Sequence, residues 1–152
     1  LSYKNGVYDG LNTEYTETGL VRNQTQYKEG KKHGTSRWYY NNGKMAMLQT
    51  YSNDMLNGPQ KIYNQQGNVT SEGDNQNNQK SGVWTEYYDN GKIKSQGAYT
   101  ADKQTGTWKY FDENGTLTRT ETFWKKLQIL FSLSNKLYLP SFSFVYEYCT
   151  LT

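Results

Sequence analysis

The sequence predicts an all-β fold, an antiparallel meander of stacked β-hairpin repeats with a 24-residue period. Three observations lead there. Gly10, Gly34, Gly58, Gly82 and Gly106 stand 24 residues apart. Nine positions after each comes a second glycine, Gly19, Gly43, Gly67, Gly91 and Gly115, in phrases such as "DNG" and "ENG". The composition is unusual: 34% of the 152 residues are hydrophobic, yet 16% are aromatic, and 15 of these are tyrosines. Few aliphatic residues precede position 127, so a thick oily core is excluded. Tyr and Trp can still cover a sheet, because each ring has a broad apolar face and a polar tip. Disordered chains are by contrast poor in aromatics.

Within each unit the elements follow from Gly82 to Thr100, "GVWTEYYDNGKIKSQGAYT". Val83 to Tyr88 is rich in strand formers. "DNG" is a hairpin turn, since Gly accepts positive φ and Asn or Asp is tolerated just before it. A second strand follows near Lys92 to Thr100, and a looser turn leads to the next unit. Three further columns stay in register. The fifth position holds Tyr15, Tyr39, Tyr63, Tyr87 and Phe111. The eleventh holds Val21, Met45, Val69, Ile93 and Leu117, and the seventeenth Tyr27, Tyr51, Asn75, Tyr99 and Phe123. Two-residue alternation along a strand places all three columns on one buried face. Strands about 4.8 Å apart make a ribbon on the order of 45 Å long, in which each unit is buried by its neighbours.

The other face would carry Trp38, Tyr40, Trp84, Tyr88, Trp108 and Tyr110. These are the candidate partner-binding residues, because Trp and Tyr dominate interface hot spots. The plain reading is that they only stabilise the sheet as cross-strand neighbours.

Five repeats preceded by half a repeat occupy residues 1–123, since Tyr3 and Gly6 match Tyr27 and Gly30. Starting in mid-repeat implies a truncated N-terminus. Residues 124–152 contain no glycine and leave the register, with Leu130 where the next glycine is due. Three readings of this hydrophobic tail stay open: a capping element, a membrane contact, or non-native read-through.

Charge and chemistry exclude several classes. The net charge is +3, and residues 1–123 hold 14 basic against 13 acidic residues. A near-neutral repeat region does not suit nucleic acid, which requires a clustered basic face. The one cysteine, Cys149, allows no internal disulfide. The compartment stays open, with the cytoplasm preferred. His33 lies in "KKHG" with no second histidine, so neither a metal site nor a nucleophile–base pair is expected. The glycines lack the Lys-Ser/Thr ending of a phosphate loop, and the "DNG" turns lack the twelve-residue frame of a calcium loop. Neither catalytic residue, cofactor nor metal is therefore expected. "NQT", "NVT" and "NGT", at Asn23, Asn68 and Asn114, match the glycosylation pattern as Asn- and Thr-rich sequence does by chance.

The phrases "GTSRWYYNNGKM", "GVWTEYYDNGKIKSQGAYT" and "GTWKYFDENGTL" resemble the MORN repeat, and more closely the second variant found in bacterial YwqK-like proteins. The resemblance covers residues 3 to 123; repeat three, with Pro59 and Asn75, is the most degenerate. It implies an elongated curved sheet used for binding a protein, with an antitoxin that neutralises a toxin partner as its most concrete form. The alternative it implies is a membrane-associated or cytoskeletal scaffold or targeting module, for which membrane lipid would be the partner. A toxin-sized neighbouring gene would favour the first, and a further domain upstream the second.

Overall fold

The computed structural model describes residues 2–124. The tail expected at 124–152 therefore falls, apart from Trp124, outside the described residues, and with it Cys149. The described chain is all-β. A short hairpin, β1 (Tyr3–Lys4) and β2 (Val7–Tyr8), pairs only with itself. Each repeat then contributes one hairpin. These are β3 (Gly10–Tyr15) with β4 (Val21–Lys28), and β5 (Lys31–Tyr39) with β6 (Met45–Ser52). After the two-residue β7 (Met55–Leu56) come β8 (Gly58–Tyr63) and β9 (Val69–Gln76). The last two hairpins are β10 (Gln79–Tyr87) with β11 (Ile93–Thr100), and β12 (Lys103–Phe111) with β13 (Leu117–Phe123). They form one antiparallel meander in chain order, with β7 beside β6 and with β3 and β13 at its open edges.

The hairpin tips are built as the sequence predicts. At Gly91 φ is 79°, the Gly91 amide donates to Tyr88 O at 2.9 Å, and Tyr88 N donates to Lys92 O. A side chain at this φ would be strained, which explains the glycine column. The turns between repeats are tighter than expected. Asn53–Asp54, Asn77–Asn78 and Ala101–Asp102 all have positive φ at both residues, the geometry of a two-residue hairpin turn that matches strand twist. Asn and Asp tolerate it, whereas Ala101, at φ 49°, carries strain. Each such turn hooks onto the preceding one. Asp102 N donates to Lys80 O (3.2 Å), and Lys80 N donates to Asp102 Oδ1 (2.7 Å). Asp54 with Lys32 and Asn78 with Leu56 repeat the exchange.

The faces differ from the expectation. In all five hairpins the register slips between the fourth and fifth positions; for example, Glu86 pairs with Ser95 but Tyr87 pairs with Ile93. The extra residue, Lys94 here, is a β-bulge, and a bulge breaks strict alternation. The eleventh column stays with the fifth, as predicted. The seventeenth moves to the other face, where it joins the tryptophans. That second face is the buried one. Trp84 and Trp108, each 2% exposed, are the buried hydrophobic residues among those described. Ser95 lies between them on β11, and Asn75, Gln49, Ser36, Thr25, Asn23 and Asn12 continue the buried layer toward the first repeat.

Candidate functional site

Gly73 and Gly97 make the tryptophan layer possible. Each lies directly under an indole, and a Cβ added to either would stand 2.3 Å from Cδ2 of Trp84 or Trp108, closer than any real contact. The indole N–H groups are satisfied by the next carbonyl along: Trp84 Nε1 donates to Asp74 O at 2.9 Å, and Trp108 Nε1 to Ala98 O at 3.1 Å. Tyr99 stands edge-on between the two indoles, 6.3 Å from Trp84 and 5.0 Å from Trp108. Lys80 Nζ lies 4.1 Å above Trp84. Such contacts contribute about 0.5–1.5 kcal/mol each beyond area burial. In the first two repeats a hydrogen bond between Thr25 and Ser36 (2.8 Å) takes the same place.

The six aromatic residues predicted to bind a partner therefore do not form an exposed strip. Trp84 and Trp108 are interior. The Tyr40 hydroxyl donates to Tyr63 O at 2.6 Å, and the Tyr88 hydroxyl to Phe111 O at 2.8 Å, so both staple one repeat to the next. Tyr110 is half-buried beside Trp108 and under the Arg119 guanidinium, 4.1 Å away. Trp38 is half-buried, and its Nε1 is buried with no partner among the described residues. The bulge is the physical reason for the exchange of roles: it turns the tryptophan face inward and leaves the fifth and eleventh columns outside.

On that outer face Tyr39, Tyr63, Tyr87 and Phe111 are half-buried and Tyr15 is 62% exposed. The paired Val21, Met45, Val69 and Ile93 are half-buried and Leu117 is 50% exposed. An apolar stripe thus runs along the ribbon, with Val83 (58% exposed) beside it. Near its middle lies a groove of about 450 Å³, lined in part by Lys61, Val69, Glu72, Tyr87 and Asp89. Lys61 Nζ meets Glu72 Oε2 at 2.8 Å, and the Tyr87 hydroxyl donates to Glu72 Oε1 at 2.6 Å. Lys61, and then Tyr87, hold the Glu72 carboxyl below its ordinary value. The bond to Glu72, helped by burial, pushes the Tyr87 phenol up to about 12. The carboxylate keeps its charge and the phenol its proton.

Residues 32–53, 80–101 and 104–125 match the family described as MORN repeat variant. The chain carries MORN repeats. The matched windows share one 24-residue register. The windows in the same register that are not matched contain the hairpins of repeats one and three, which hold no tryptophan. No curated protein matches this MORN chain. Among solved structures, the crystal structure of an S. aureus TarM mutant in complex with Fondaparinux, alpha-GlcNAc-glycerol and UDP is 9% identical. It covers 63% of this chain and 19% of its own length at a TM-score of 0.42, a likeness too slight to bear on fold or function.

Two other predicted positions fall on strands of the MORN hairpins, His33 on β5 and Asn23 on β4. His33 is exposed just after an inter-repeat turn, and no group of metal-ligating side chains occurs among the described residues. Asn23 is buried and bonded to Glu14, so it is no glycosylation acceptor, despite its sequence pattern. Two sets of residues went unnoticed in the sequence. One is the Asp/Asn hooks at position 20 of repeats two, three and four, Asp54, Asn78 and Asp102. The other is the Asn and Lys donors of "YNNGK" and "YDNGK", legible only as a pattern recurring at 48 residues. Asn42 and Asn90 donate to Gln65 O and Glu113 O, while Lys44 and Lys92 donate to Gln66 O and Asn114 O, across 2.7–2.9 Å.

Proposed function

We propose that this MORN-repeat chain is a non-catalytic module that binds a protein partner along the outer face of its sheet. The observation that carries the reading is the stripe of aromatic–aliphatic pairs, from Tyr39 with Met45 to Phe111 with Leu117. It repeats at one pitch on a face that the sheet itself leaves part-exposed. Large rings held rigidly by a sheet lose little entropy on docking, and they supply the area from which hot spots are made. The more specific form, suggested by the resemblance to YwqK-like proteins, is an antitoxin that occludes a toxic partner. The scaffold and membrane-targeting alternative is drawn from the same resemblance, and no feature of the described residues favours it.

The test is capture from source cells with the full chain as bait, alongside a Val69→Lys, Ile93→Lys double variant. Both positions are part-exposed, so the fold should persist, as circular dichroism would verify. One stoichiometric protein should be retained by the parent and lost at least about tenfold by the variant. Equal retention by a folded variant would exclude the stripe. For the antitoxin form, the captured protein should arrest growth when expressed alone, and co-expression of this chain should restore it.

A further inference from the structure

The joints between hairpin tips are not alike. At the joints from repeat two to three and from four to five, three donors of one tip reach three carbonyls of the next. Tyr40, Asn42 and Lys44 bond to Tyr63 O, Gln65 O and Gln66 O; Tyr88, Asn90 and Lys92 bond to Phe111 O, Glu113 O and Asn114 O. The lysine stems lie over the next tip's glycine: Lys44 Cδ is 3.6 Å from where a Cβ would stand on Gly67, and Lys92 Cδ is as close at Gly115. At the joint from repeat one to two the donor positions hold Thr16, Thr18 and Leu20. None of them bonds to Tyr39 O, Asn41 O or Asn42 O, and nothing lies within 4 Å of the equivalent place over Gly43. A groove of about 760 Å³ opens there, between Thr16, Leu20, Trp38 and Tyr39.

We propose that this groove is a recognition site for a lysine side chain carried on a polar loop of a partner protein. The same chain shows how such a groove is filled elsewhere. The ammonium takes a tip carbonyl, neighbouring amide and hydroxyl donors take two more, and the methylene stem covers the glycine. At the open joint Tyr39 and Asn41 line the groove and Asn42 follows them at the tip; their carbonyls are the acceptors equivalent, 24 residues earlier, to those of Tyr63, Gln65 and Gln66. Leu20, Trp38 and Tyr39 wall the stem. Glu17 and Arg22 at the rim contribute one charge of each sign, so the carbonyls set the preference for a cation. Tyr39 also belongs to the outer stripe, which makes the groove continuous with the proposed partner surface. The inference deepens that reading and rests on it.

The probe is a cyclic hairpin peptide carrying the tip sequence YNNGK, titrated into the ¹⁵N-labelled full chain and followed by NMR. Saturable shifts confined to residues 16–22 and 38–43, including the Trp38 indole N–H, are expected. Acetylating the peptide's lysine should weaken binding about tenfold or more, because a charged hydrogen bond is lost. A Thr16→Tyr, Thr18→Asn, Leu20→Lys variant, which supplies the missing donors from within, should abolish peptide binding and raise the melting temperature. Leu20→Lys alone is the smaller change should the triple variant misfold, and it too should weaken the peptide. Equal binding of the acetylated peptide, absence of shifts at these residues, or full binding to a folded Leu20→Lys chain would overturn the proposal. Binding of the peptide with no protein captured in cells would overturn only the protein-binding reading. Capture of a partner with no response to the peptide would overturn only this one.

Discussion

Trp108 lies flat on the backbone because Gly97 has no side chain, and its N–H is spent on the carbonyl of Ala98. The indole is thereby nearly sealed in a sheet one layer thick, where no second sheet or helix covers it among the described residues. Gly97 does not have positive φ, unlike tip glycines such as Gly91, so its constraint is purely steric. Gly97→Ala should therefore cost about 1–3 kcal/mol, the range for overpacking a filled site. Urea unfolding followed by tryptophan fluorescence would measure it, and an unchanged midpoint would mean that the ring can slide aside. The sequence shows Gly97 and Trp108 plainly, eleven residues apart, but not their contact. That contact depends on a bulge opposite Gly97, where Ala98 pairs with Thr105 and Gln96 with Lys109.

At the scale of a hairpin, the tips, the strands and the 24-residue period were legible because turn chemistry is local: glycine stands where positive φ is needed. The faces were not, since one extra residue per hairpin reverses every side chain beyond it. No residue type announces that insertion; Arg22, Ala46, Thr70, Lys94 and Thr118 occupy it in turn. The candidate contact residues were misplaced for the same reason. Across β8, β9 and β10 the outer face carries its own polar device, Lys61, Glu72 and Tyr87, with a definite pH signature. Tyr87 is raised from an ordinary 10.0 to about 12, so its contribution is complete below pH 10 and fades as pH climbs toward about 12. Glu72 is lowered, so its contribution is present at neutral pH and lost as acid protonates it. The side chains are part-exposed and solvent screening makes both effects modest. Tyr87→Phe should flatten the alkaline limb between pH 10 and 12 in a thermal-melt series, while the acid limb held by Lys61 and Glu72 remains. Identical alkaline limbs in parent and variant would show that Tyr87 keeps its proton equally well in the unfolded chain.

Across the whole molecule the packing changes character. Repeats one and two meet through Thr25 and Ser36, whereas repeats three to five meet through Trp84, Tyr99 and Trp108. Because each repeat touches only its neighbours, local stability need not be shared along the ribbon. Backbone amides of β10 to β12 should exchange hydrogen about 10- to 100-fold more slowly than those of β3 and β4, given the ~1.5–3 kcal/mol of a buried large side chain. Uniform protection would mean that the ribbon opens as one body. The hooks between inter-repeat turns carry a consequence of another kind. Asp54, Asn78 and Asp102 each reach back by 22 residues and no further, to a turn of identical build. Each of these three copies therefore arrives with its own fastening and requires only a predecessor. A gene of this design can gain or lose any 24-codon window, wherever the break falls, and still encode a chain in which each turn finds its neighbour; a gain of any other length leaves one hook without its eye.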